Sequence, residues 1–153
     1  MIVLGIDPGP TVSGVVWFDL ERQAVIKANG EMPNAELLEI VRAGDSFDML
    51  AMEVIKAMYA HVGESTVLTI RFMGRIEEAV EHHGKPSVCM SPQEIKKEVC
   101  GTASAKDPAV RQAIIDRLGD KGTKAEPGPT YGVSKHAWRA LAAVLAATAL
   151  YTP

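Results

Sequence analysis

The sequence predicts one α/β domain built on a five-stranded mixed sheet. Three observations predict it. Short apolar runs end at turn residues, the first three runs lie close together, and later runs alternate with stretches of helical period. At 153 residues the chain fits a single domain, 1–153, with a substantial core.

Residues 2–6, Ile-Val-Leu-Gly-Ile, read as a buried strand stopped by Asp7-Pro8-Gly9-Pro10. Residues 12–19 and 23–31 supply two more strands, and their short connections favour an antiparallel meander. Asn34 is placed to cap a helix over 35–43, with Leu37, Leu38 and Val41 on one face and Gly44 at its end. Residues 48–55 form a central fourth strand. Val67, Ile70, Met73, Ile76 and Val80 recur at three- and four-residue steps. They predict a long helix from Ser65 to His83, ended by Gly84-Lys85-Pro86. Residues 86–90 give a fifth strand. Ser91 and Glu94 then form a capping-box pattern, with Pro92 at the first helical position of a helix reaching Val99. Asp107 caps a helix over 108–118, the Gly- and Pro-rich 119–133 is a loop, and an Ala-rich helix runs from Ser134 to Ala149.

The composition, 47% hydrophobic, 23% charged and 5% aromatic, excludes disorder, collagen and coiled coil. No apolar run reaches the roughly 18 residues of a membrane span. The start MIVLGID lacks a basic region and a cleavage site, so a cytoplasmic location is expected. Cys89 and Cys100 are too few for a disulfide scaffold and lack metal-site spacing; buried thiols are expected. The net charge of -3 argues at first against a nucleic-acid partner. Yet residues 1–55 hold three basic and nine acidic groups, whereas 56–153 hold thirteen basic and ten acidic. The acidic excess is confined to the first third.

Two of those acids, Asp7 and Glu53, close apolar runs, where an isolated carboxylate is costly to bury. The plain readings are an Asp that starts a turn, and a Glu that is exposed or paired with a lysine. The alternative is metal ligation, because a cation offsets the desolvation. If strands one and four are neighbours, both carboxylates meet at one sheet end, an oxygen pair suited to Mg²⁺ or Mn²⁺. His136 reads as a surface histidine or as a group delivered to that same end. The second reading draws on the small residues of 140–147, which let the helix pack close to the sheet.

Gly5-Ile6-Asp7-Pro8-Gly9, Ala51-Met52-Glu53-Val54-Ile55 and Ser134-Lys135-His136-Ala137-Trp138-Arg139-Ala140-Leu141-Ala142 are spaced as in one known family. In that order they resemble the RuvC family of Holliday junction resolvases, whose fold is ribonuclease H-like. Pro92-Gln93-Glu94-Ile95-Lys96-Lys97 and Gly101-Thr102-Ala103-Ser104-Ala105-Lys106 resemble the family's basic DNA-contacting stretch. The segments around Lys106-Asp107, Arg111-Gln112-Ala113, Lys121-Gly122-Thr123-Lys124 and Pro127-Gly128-Pro129 resemble its phage and prophage branch. The resemblance implies a metal-dependent endonuclease that cuts four-way junctions by hydrolysing phosphodiesters with Mg²⁺ or Mn²⁺, two ions per site about 4 Å apart. It implies that Asp7 bridges the metals, Glu53 holds one, and His136 binds the other or orients the water. The family's fourth acid falls where this chain has Arg139, which shares a helix face with His136. Arg139 then either contacts the scissile phosphate or is an ordinary surface-paired arginine.

Lys96, Lys106, Arg111, Lys121 and Lys124 are the candidates for a phosphate track. Met58 and Tyr59 are the candidates for stacking on bases at the crossover. A junction with two scissile strands implies a C2 homodimer, and helix 65–83 is its expected surface. Two other readings stand beside this one: a junction-binding protein without activity, and a broader branched-DNA nuclease. An actin-like nucleotide-binding fragment shares a similar first strand, but 153 residues are too few for its second phosphate loop and domain.

Overall fold

Apolar alternation and two tight turns fold the first 33 residues into a meander. β1 (Ile2–Asp7), β2 (Val12–Asp19) and β3 (Ala24–Pro33) pair antiparallel in chain order. The computed structural model describes residues 1–56 and 62–151. After α1 (Asn34–Ala43), β4 (Met49–Glu53) pairs parallel with β1 on its free side. After α2 (Glu64–His82), β5 (Ser87–Met90) pairs parallel with β4. The sheet order is β3-β2-β1-β4-β5. Three helices complete the chain: α3 (Pro92–Cys100), α4 (Asp107–Leu118) and α5 (Ala137–Leu150).

The alternation of side chains along each strand divides the core into two layers. Leu4, Ile6, Trp17, Leu50 and Met52 face α1 and α2, against Leu37, Val41, Phe72 and Ile76. Val3, Val16, Phe18 and Ala51 face the other way, against Leu141, Val144 and Leu145 of α5. Every residue from Ala140 to Ala147 is buried, as expected of a helix apolar on all sides.

Glycines set how close α5 comes. A Cβ on Gly5 of β1 would lie 2.5 Å from the Ala140 carbonyl oxygen. One on Gly14 of β2 would lie 2.3 Å from the His136 carbonyl carbon, and one on Gly30 of β3 would lie 2.6 Å from the Ser134 carbonyl oxygen. Three strands thus offer bare backbone to one segment, and residues 134–140 settle onto it.

The five expected strands and five expected helices are all present, with ends moved by at most three residues. Three helix starts differ in substance. Asn34 does not cap α1; Pro33 holds that position without a side-chain bond. The Asn34 amide instead donates to the Gly9 carbonyl at 2.8 Å and its Oδ1 accepts from Ser13 Oγ at 2.7 Å, which braces the turn after Asp7. Asp107 is the first residue of α4, not its cap; Lys106 takes that place. α5 starts at Ala137 rather than Ser134, because Lys135 has a φ of 48°, which no right-handed helix accommodates. The Ser91–Glu94 capping box is present as expected.

Two further expectations are corrected. Val67 and Ile70 are exposed; the buried face of α2 is Thr69, Phe72, Met73, Ile76, Ala79 and Val80. Neither cysteine is buried: Cys89 is exposed and Cys100 half-buried. Cys89 lies on β5, the sheet edge, whose short pairing with β4 leaves it less covered than the central strands. Among the described residues, no helix is long and apolar enough to cross a membrane.

Candidate active site

The parallel pairing of β1 and β4 brings the two strand-end carboxylates together. Ile6 faces Met52 in register, so Asp7 and Glu53 follow one step on at the C-terminal ends of adjacent strands. Neighbouring strands run about 4.8 Å apart. Alternation turns both side chains toward the face that α5 covers, the face of Gly5 and Ala51. Both are nearly removed from water, with side-chain exposures of 9% for Asp7 and 13% for Glu53.

His136 reaches this corner because the residues just before α5 lie on Gly14, the residue paired with Asp7. Its Nδ1 stands 3.2 Å from Asp7 Oδ2. Arg139, three residues on, bridges two carboxylates. One guanidinium nitrogen lies 3.8 Å from Glu53 Oε1, and the other donates to both oxygens of Asp107 at 3.3 and 3.2 Å. A cleft of about 240 Å³ opens over Asp7 between the 8–12 turn, His136 and Arg139. A second groove of about 590 Å³ runs on from the same two residues between α4 and α5, past Asp107, Arg111 and Trp138.

The electrostatics follow from burial. Desolvation, and then the neighbouring Asp7 charge, push the Glu53 carboxyl up to about 7. Desolvation also raises Asp7, against the lowering pull of Arg139 and His136. Two such acids at the end of a sheet form a hard-oxygen pair short of positive charge. That donor set, with an imidazole beside it, fits a divalent cation such as Mg²⁺ or Mn²⁺. Among the described residues, no three His, Cys, Asp or Glu side chains are yet drawn together closely enough to hold one. Arg139 stands where further positive charge is wanted.

The expected basic groups divide into near and far sets. Lys96 on α3 is close enough for its charge to lower the Glu53 carboxyl. Lys106 is exposed at the start of α4, beside Asp107. Arg111 lies over the Trp138 ring, 4.7 Å from its centre, along the second groove. Lys121 and Lys124 are not brought to the carboxylates. Their loop bonds to β3 at Val25, the opposite end of the sheet from Asp7. Met58 and Tyr59 lie outside the described residues. Among the described residues no lysine pairs with Glu53; Arg139 is its ion-pair partner, and Lys56 pairs with Glu94 instead.

Sequence reasoning missed Asp107 as a member of this group. An acid before a proline at a helix start is fully accounted for as a local signal, and nothing local points to Arg139, 32 residues on.

A mixed sheet of this order, with carboxylates closing its first and fourth strands under a terminal helix, places the chain in the ribonuclease H-like class. Comparison with known proteins narrows this. The crossover junction endodeoxyribonuclease RuvC of Pseudarthrobacter chlorophenolicus is 30% identical over 154 residues, covering 90% of this chain and 80% of that one. Its counterpart in Paenarthrobacter aurescens is 29% identical over 157 residues, covering 90% and 82%. Among solved structures, Thermus thermophilus RuvC matches with a TM-score of 0.71 at 21% identity, over 95% of this chain and 92% of that one. T. thermophilus RuvC in complex with Holliday junction substrate matches at 0.68 and 19%, with the same coverage. No family model matches the sequence. The chain belongs to the RuvC family.

Proposed function

We propose that this protein is a divalent-metal-dependent endonuclease that resolves four-way DNA junctions by hydrolysing a phosphodiester in each of two strands. The observation that carries the reading is the convergence of Asp7, Glu53 and His136 at one sheet end, in a chain of the RuvC family. Asp7 and Glu53 would hold Mg²⁺ or Mn²⁺, two ions per site. Metal bound there supplies an activated water and stabilises the leaving oxygen. His136 completes the ligand set or orients the attacking water, held in place by Asp7 and by the seat on Gly14. Arg139, paired with Glu53 and Asp107, lines the cleft in which it would meet the scissile phosphate.

Lys96, Lys106 and Arg111 carry the strand away from the cut, with Trp138 stiffening Arg111. Lys121 and Lys124 serve a more distant part of the junction. Met58 and Tyr59 act at the crossover. Residues 1–153 work as one nuclease domain, placed in the phage and prophage branch and in the cytoplasm. Two copies form a C2 dimer through α2, a role supported by the exposed Val67, Leu68 and Ile70, with Val62 just before the helix.

The test is nicking of synthetic four-way, three-way, flap and linear DNA with Mg²⁺ or Mn²⁺. Preferential paired nicking of the four-way substrate is expected. Asp7→Asn should abolish it while junction binding survives, and full cleavage by that variant would remove Asp7 from the site.

A further inference from the structure

We propose that Arg139 is a built-in cation of the carboxylate site which a divalent metal must displace, and that Asp107 is the latch that receives it. The inference rests on the reading of Asp7 and Glu53 as a metal-holding pair. Arg139 occupies the position where the family resemblance places an acid, so the chain has exchanged a negative charge for a positive one. The guanidinium is shared between two carboxylates of unlike setting. Glu53, 13% exposed, lies at 3.8 Å; Asp107, 61% exposed, accepts two bonds at 3.3 and 3.2 Å.

Among the described residues, Glu53 and Asp107 each have Arg139 as their ion-pair partner. A metal on Glu53 would face the guanidinium at that distance as a like charge, and the two repel. The closer grip already belongs to Asp107. Its carboxylate stands on α4, outside the two strands, and can keep Arg139 paired after Glu53 lets go. Arg139 therefore opposes metal loading, and Asp107 relieves that opposition. Asp107 acts here as a positioning residue, through Arg139.

The experiment is Mn²⁺ binding to the full chain without DNA, followed by the free-Mn²⁺ paramagnetic resonance signal. Arg139→Gln should bind Mn²⁺ more tightly, by about tenfold. Asp107→Asn should bind more weakly, because the released guanidinium settles on Glu53. The double variant should match Arg139→Gln, and Arg139→Lys should stay near the parent if the glutamine variant misfolds. Unchanged or weaker binding by Arg139→Gln overturns the proposal. So does a loss on Asp107→Asn that persists in the Arg139→Gln background, which makes Asp107 a direct ligand. Mn²⁺ binding by neither the parent nor Arg139→Gln overturns the metal site itself.

Discussion

At Glu53 the protein gives up stability to hold a charge out of water. The carboxyl moves up to about 7 from an ordinary 4.5, so between these values the folded metal-free protein binds a proton that the unfolded chain has released. Stability then falls as pH rises from 4.5 to 7 and stays low above that. Glu53→Gln removes the penalty. In chelator, this variant should melt above the parent at pH 8, by on the order of 3 kcal/mol, and alongside it at pH 4. Equal melting of the two at pH 8 would deny that burial raises the Glu53 carboxyl, since the lowering pull of Arg139 is already included in its value. By the same titration, metal binding by the parent should weaken as pH falls through 7. Glu53 and Asp7 were legible in the sequence because a charge at the end of an apolar run is locally anomalous. Asp107 was not, because its local role as a helix-starting acid is complete without its true partner. Cys89 was misread for a related reason: residue type suggested burial, while its place on an edge strand decided exposure.

At the scale of elements, the seat of α5 is the feature that the site depends on. Gly14→Ala would drive a methyl to within 2.6 Å of three atoms of His136, two of them backbone. The segment must lift, at a cost of about 1–3 kcal/mol. Cleavage should fall further than that loss of stability explains, since Asp7 and His136 then part; a thermal melt beside a nicking assay separates the two. Helix α3 offers a simpler case. Ser91→Ala removes the hydroxyl half of its capping box, leaving the residue-91 amide bonded to Glu94, and should lower stability by about 1 kcal/mol, read by denaturant titration. The strands were legible because each apolar run ends in its own turn signal. The starts of α1 and α5 were not. Asn34 has a capping residue's chemistry but is claimed by Gly9 and Ser13, and the left-handed Lys135 carries no sequence mark.

For the whole molecule, the net charge of -3 is a poor guide to its partners. The acids at the heart of the site lie in β1 and β4, and the basic groups nearest it come from α3, α4 and α5. Junction affinity should therefore fall steeply with added salt, and a flat dependence would deny the proposed track. Light scattering at working concentration should give the mass of two chains. Substituting Leu68 and Ile70 with polar residues should halve that mass without unfolding the monomer, because both side chains already face solvent.

The bond between Asp7 and His136 joins residues 129 positions apart. A chain emerging from the ribosome carries all five strand segments, with Asp7 and Glu53, before His136 is made. Such an unfinished product lacks one of the three groups and the helix that roofs them. A chain cut before residue 134 is therefore expected to keep both carboxylates and to lack the imidazole beside them.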